Sequence, residues 1–210
     1  MNILARFTPD SPICPQGDAG LIGLKKLILN NLGEPLGDET LTLDLTMAVP
    51  APIAIDPRAD GVQLLLEDEG RNFTSLFDLS AITLPVPSGG PGSGCMPKDG
   101  WAVNGSLTAY KYRNFSGALP PTCAPGSAQG LTSFFVTDTR ARNGKPIALS
   151  VRTKGSTILA PLVPSIGVAF GELRLSINLQ GTVGGLPCAI KSMPLPNCKL
   201  TGAGRKLTCR

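Results

Sequence analysis

The sequence predicts an all-β fold, a two-sheet antiparallel β-sandwich of roughly ten short strands stabilised by disulfides. Three observations lead there. Glycine and proline number 25 and 20 in a chain of 210 residues, a density that interrupts helices and suits strands joined by tight turns. Apolar and polar residues alternate over several short runs, the period of a strand with one buried face. Helical spacing is rare. A hydrophobic fraction of 42% is too high for disorder, and the length is enough for one domain spanning residues 1–210 with a real core.

The elements follow in order. Leu21, Ile22, Leu24, Leu27 and Ile28 sit at helical spacing for about two turns, yet the same segment reads as a strand over 25–30 pairing back on 41–49. Glycine and proline on both sides favour the strand. Leu41, Leu43, Leu45, Met47 and Val49 alternate with Thr42, Asp44, Thr46 and Ala48. Val62, Leu64 and Leu66 follow a turn at Asp60-Gly61. From Gly100 through Asn104-Gly105 to Tyr112 the chain reads as a hairpin. There Asn-Gly supplies both positive-φ residues of a type I′ turn, and Tyr110 and Tyr112 share a face. Leu131 to Thr137 is a mixed apolar strand, and Ile147, Leu149 and Val151 follow Asn143-Gly144. Leu173, Leu175, Ile177 and Leu179 alternate with Arg174, Ser176 and Asn178, which predicts one buried face and one wetter face. The prolines after Val49 and Ala160 exclude those segments from central strands.

Cysteines stand at positions 14, 95, 123, 188, 198 and 209, with no C-x-x-C spacing. An even, scattered set predicts three disulfides and an oxidising compartment rather than a zinc or redox site. Cys95 and Cys123 bracket the Gly100 hairpin. With a four-residue turn from Gly202 to Arg205, Leu200 faces Leu207 and Cys198 faces Cys209, within bridging distance. Cys14 is then left for Cys188, a short Cys188–Cys198 loop being the competing choice. No run approaches 18 apolar residues, so no membrane span is expected. The first residues lack the apolar core of a signal peptide, so a secreted chain would begin here as a mature fragment. Asn72, Asn104 and Asn114 begin Asn-x-Ser/Thr sequons in turn-like sequence.

The chemistry is narrowed mainly by one absence. With no histidine, Ser-His-Asp and Cys-His catalysis and histidine-ligated metals are excluded. Gly92-Ser93-Gly94 has Pro91 where a nucleophile elbow needs glycine. Asp44 and Asp78 fall in strand-like sequence and would be the carboxylates of a histidine-free glycoside hydrolase, the third-ranked reading. Asp56 to Gly61 and Glu67-Asp68-Glu69 lack the spacing of a calcium loop. No catalytic residue, metal or cofactor is expected. Trp101, Tyr110 and Tyr112 fall in one hairpin and are the candidate ligand-binding residues, either an exposed sugar-stacking platform or ordinary core.

Charge is divided unevenly. Residues 1–139 carry 8 basic and 14 acidic side chains, net −6, whereas residues 140–210 carry 11 basic and 1 acidic, net +10. If that division holds in space, it favours head-to-tail self-association or an anionic partner. Lys and Arg are spread singly, without the aromatic interleaving of a nucleic-acid site.

The phrase Ile55-Asp-Pro-Arg-Ala-Asp-Gly-Val62, the Gly100-Trp101 hairpin and the closing Cys188, Cys198 and Cys209 resemble secreted β-rich domains. Such domains occur, often as repeats, in large surface proteins of environmental Gram-negative bacteria. The resemblance runs from about residue 40 onward. It implies an extracellular or cell-surface location and brings no catalytic residues. The expected function is therefore a non-catalytic extracellular structural or adhesive module, with identical subunits, another protein, or an anionic or neutral polysaccharide as partner. A carbohydrate-binding module using the Trp101 hairpin is the alternative.

Overall fold

The computed structural model describes residues 22–32, 38–49, 53–68, 81–154, 172–179, 188–194, 197–202 and 205–210. They form an all-β, two-sheet antiparallel fold. In chain order the elements begin with β1 (Ile22–Asn30), β2 (Thr40–Met47), the single-turn helix α1 (Pro57–Asp60), β3 (Val62–Asp68) and β4 (Ala81–Val86). Next come β5 (Gly100–Val103), β6 (Ala109–Arg113), β7 (Leu131–Thr137), the short helix α2 (Arg140–Asn143) and β8 (Ile147–Thr153). The chain closes with β9 (Glu172–Asn178), β10 (Cys188–Pro194), β11 (Cys198–Thr201) and β12 (Lys206–Cys209). Eight strands form a large sheet in the order β11-β12-β1-β2-β8-β7-β6-β5, and four form a smaller one in the order β10-β9-β3-β4.

The core lies between the two sheets because alternation puts every second residue there. On β2, Leu41, Leu43, Leu45 and Met47 are buried and the residues between them are half-exposed. Ile147, Leu149 and Val151 on β8 and Phe134 and Val136 on β7 continue that layer. Leu64, Leu66, Leu173, Leu175, Ile177, Ala189 and Met193 of the smaller sheet meet it. β1 pairs with β2 as the alternating pattern predicts, with a bulge between Leu24 and Lys26.

The C-terminal hairpin has the expected register. Cys198 lies opposite Cys209 and Leu200 opposite Leu207, and the Arg205 N–H donates to the Gly202 carbonyl across the turn. Disulfides join Cys198 to Cys209 and Cys95 to Cys123. Cys188 is also disulfide-bonded, and its expected partner, Cys14, lies outside the described residues, as do Asn72 and Asp78.

Two expectations are corrected, and the condition on the charge division is answered. The polar residues of β9 are not on a wet face: Arg174, Ser176 and Asn178 are buried. β9 is a central strand of its sheet, flanked by β10 and β3, and both its faces are covered.

The Asn104-Gly105 turn is not type I′, since neither residue has positive φ and Leu107 does, at 52°. The turn runs Asn104–Leu107, closed by the Leu107 N–H to the Asn104 carbonyl. The Asn104 side chain caps the Thr108 and Ala109 N–H groups at 2.8 and 3.0 Å, and that capping outweighs the dipeptide's own preference.

Finally, the acidic and basic blocks of sequence interleave in space. β8 sits between β2 and β7, and β12 beside β1. Separation along the chain does not become two oppositely charged ends of the large sheet.

Candidate functional site

The hairpin β5–β6 turns its aromatic side chains inward. Trp101 and Tyr112 face each other across the strands, and Trp101, Tyr110 and Tyr112 are all buried. The Trp101 ring lies 5.4 Å from Tyr112 and 6.1 Å from Phe134 between centroids, a tilted packing that aromatic quadrupoles favour. Its indole N–H donates to the Pro87 carbonyl at 2.8 Å, so both the apolar body and the polar tip are satisfied inside. Burial pushes both tyrosine phenols above their ordinary pKa. Of the two readings of Trp101, Tyr110 and Tyr112, ordinary core therefore holds and the stacking platform does not: a ring enclosed by its neighbours has no face left for a sugar. Gly100 secures this entry to the core. It has φ 119°, and a Cβ there would meet the Gly90 carbonyl oxygen at 2.1 Å, so only glycine fits.

The opposite face of the same hairpin is open. Pairing registers define two rows of outward side chains crossing the large sheet. One row runs Ala102, Lys111, Phe135, Ser150, Asp44 and Lys26. The next runs Gly100, Arg113, Ser133, Arg152, Thr42, Ile28, Thr208 and Lys199. Lys206 faces the same way. At these paired positions the face carries Lys26, Lys111, Arg113, Arg152, Lys199 and Lys206 against a single carboxylate, Asp44, with Lys25 of the β1 bulge beside Lys26. The Arg152 guanidinium reaches both Asp44 oxygens, at 2.9 and 3.1 Å. Burial works to raise the Asp44 pKa, but the Ser150 hydroxyl, the Arg152 guanidinium and the Lys26 charge outweigh it and hold the carboxyl below its ordinary value.

At the β5 end of this face lies a groove of about 940 Å³, lined by Pro91, Met96, Pro97, Lys98, Gly100, Ala102, Lys111, Arg113 and Phe115. A second, of about 500 Å³, includes Lys25, Lys26, Asp44, Phe135 and Ser150. The Lys111 ammonium sits 5.0 Å from the centroid of the Phe135 ring, and the Arg113 guanidinium 5.8 Å from that of Phe115, both within cation–π range. Met96 and Phe115 are large apolar side chains left about half exposed at the first groove.

The wall of that groove is built on Asp99. Its side chain is fully buried and accepts the Phe115 N–H at 2.7 Å, the Met96 N–H at 3.2 Å and the Ser116 hydroxyl. The Cys95–Cys123 bridge ties the same two loops. Asn114 is buried, donates to the Ala118 carbonyl at 2.8 Å and accepts the Gly117 N–H at 2.7 Å. Its sequon therefore serves the loop rather than presenting a glycan site, whereas Asn104 is exposed at its turn. No group of three or more His, Cys, Asp or Glu side chains suited to a metal occurs among the described residues. Gly92-Ser93-Gly94 is loop, and the Ser93 hydroxyl donates to the Gly90 carbonyl.

Lys111, Arg113, Phe115 and Phe135 were not singled out from the sequence. A signal was present in Lys111-Tyr-Arg-Asn-Phe115: where Tyr110 and Tyr112 point inward, Lys111 and Arg113 point outward, and Phe115 extends the spacing. Compared with protein-family models, curated proteins and solved structures, the chain finds no match. No helix among the described residues is long and apolar enough to cross a membrane.

Proposed function

We propose that this protein is a non-catalytic extracellular structural or adhesive module that presents the outer face of its large sheet to an anionic partner. The observation that carries the reading is the charge of that face: six cations and one neutralised carboxylate at its paired strand positions. A surface of one sign raises the local concentration of oppositely charged polymer and steers its approach. The disulfides support the location, because such bonds persist in oxidising compartments. The carbohydrate-binding alternative that used the Trp101 hairpin has lost its ring surface to the core.

The test is retention of the oxidised chain on immobilised polygalacturonate and on dextran, a neutral polymer. Retention on the acidic polymer should weaken as salt rises from about 0.1 to 1 M and the screening length falls from about 10 to 3 Å. Equal retention on dextran, or binding indifferent to salt, would contradict the reading.

A further inference from the structure

The outer face is patterned as well as charged. Its outward rings, Phe115 exposed and Phe135 half-buried, come paired with cations: Phe115 with Arg113, and Phe135 with Lys111. Between the cations of both rows stand the hydroxyls of Ser133, Ser150 and Thr42. The two grooves lie on this one face, and the Lys111 side chain, lining the first, reaches the Phe135 ring, lining the second. From β5 to β1 the row crosses five strand spacings, about 24 Å at about 4.8 Å each. A lone small anion has no use for that length. A chain with repeating units does.

We propose that this face carries a track for an acidic polysaccharide, with sugar rings packing on Phe115 and Phe135 and sugar carboxylates meeting Arg113, Lys111 and, at the far end, Lys26. The proposal rests on the anionic-partner reading above and names its chemical class. A uronate offers C–H faces to aromatic rings, carboxylates to guanidinium and ammonium groups, and hydroxyls to serine and threonine. An acidic peptide offers the charge without the periodic ring faces. The first groove falls in the size range of sites that enclose a small-molecule unit. Its wall is held before any ligand arrives, because Asp99 fixes the Met96 and Phe115 backbones, and a fixed wall lowers the ordering cost of binding.

The experiment is titration of the oxidised full chain, by calorimetry, with four probes: long oligogalacturonate, digalacturonate, polyglutamate matched in charge to the long sugar, and oligothymidylate. The wild type should bind long oligogalacturonate more tightly than either polyglutamate or oligothymidylate. Phe115→Ala alters a side chain that is more than half exposed, so its thermal midpoint should match the wild type. It should weaken oligogalacturonate about fivefold or more and leave polyglutamate unchanged. Lys26→Gln should weaken the long sugar and leave digalacturonate unaffected, since the short chain stays near Phe115.

Equal affinity for oligogalacturonate and polyglutamate, with Phe115→Ala altering neither, would overturn the sugar track while leaving a basic anion-binding face intact. Preference for oligothymidylate would overturn it in favour of a nucleic acid. Binding to none of the four probes would overturn both the track and the reading beneath it.

Discussion

The Asp99 carboxyl oxygen Oδ1 accepts the backbone N–H of Phe115 at 2.7 Å, so a fully buried polar group sets the position of an exposed ring. Its other oxygen receives the Met96 N–H and the Ser116 hydroxyl. Asp99→Asn keeps one acceptor and turns the other position into a donor facing a donor. It should destabilise the fold by about 2 kcal/mol, the cost of leaving a buried N–H unpaired. Denaturant unfolding gives the energy. Amide exchange at Met96 or Phe115 should also quicken, and unchanged stability and exchange would show that these loops are held by something else.

Trp101→Ala removes the largest fully buried side chain and should cost about 3–5 kcal/mol. A sugar-stacking tryptophan would have been dispensable to folding, so urea unfolding separates the two roles. Tyrosine titration adds an independent check. Both phenols are raised above the ordinary value of about 10, chiefly by burial. They should stay protonated there in the folded chain and ionise together once it unfolds. A group that holds its proton more tightly when folded contributes stability below its unfolded pKa, and that contribution is lost as pH climbs through the folded one. Stability should therefore decline above about pH 10.

Asp138 and Arg140 form a largely buried pair at 2.7 Å, and the guanidinium also donates to the Val49 and Ile53 carbonyls. The Arg140 hydrogen bond lowers the Asp138 pKa against the opposing effect of burial. A carboxyl depressed in the folded state contributes stability above its unfolded pKa of about 3.9 and loses it as pH falls through the folded value. Asp138→Asn should cost about 1–3 kcal/mol near neutrality and progressively less below about pH 4. A difference that stayed constant with pH would contradict the ion pair.

The two described disulfides close loops of different length, with sequence separations of 28 for Cys95–Cys123 and 11 for Cys198–Cys209. On the chain-entropy model each contributes about 2–4 kcal/mol, and the longer closure about 1 kcal/mol more. Paired serine substitutions compared by thermal unfolding test that order. The Cys95/Cys123 variant should also loosen the groove wall, which a purely global effect would not do.

Local signals were legible and long-range ones were not. The Cys198–Cys209 register followed from counting back from a four-residue turn, and the β1–β2 pairing from alternation between glycine-rich breaks. Those are short-range constraints. Trp101 was ambiguous because an aromatic residue on a short strand suits either face, and only the Gly100 close approach and the Pro87 carbonyl settle it inside. The polar residues of β9 misled because period two reports a half-exposed strand only when one face meets water. The basic face was invisible for another reason: Arg113 and Arg152 flank Ser133 only because β6, β7 and β8 are neighbours. In sequence they are single charges in unrelated segments.

The most direct measurement of what this surface does is amide chemical-shift mapping of the oxidised chain with added polygalacturonate. Shifts should concentrate at Ala102, Lys111, Arg113, Phe135 and Ser150 and vanish at high salt, with Leu64 and Ile177 of the smaller sheet unmoved. Shifts clustered on the smaller sheet, or none at low salt, would contradict the assignment of binding to the outer face of the large one.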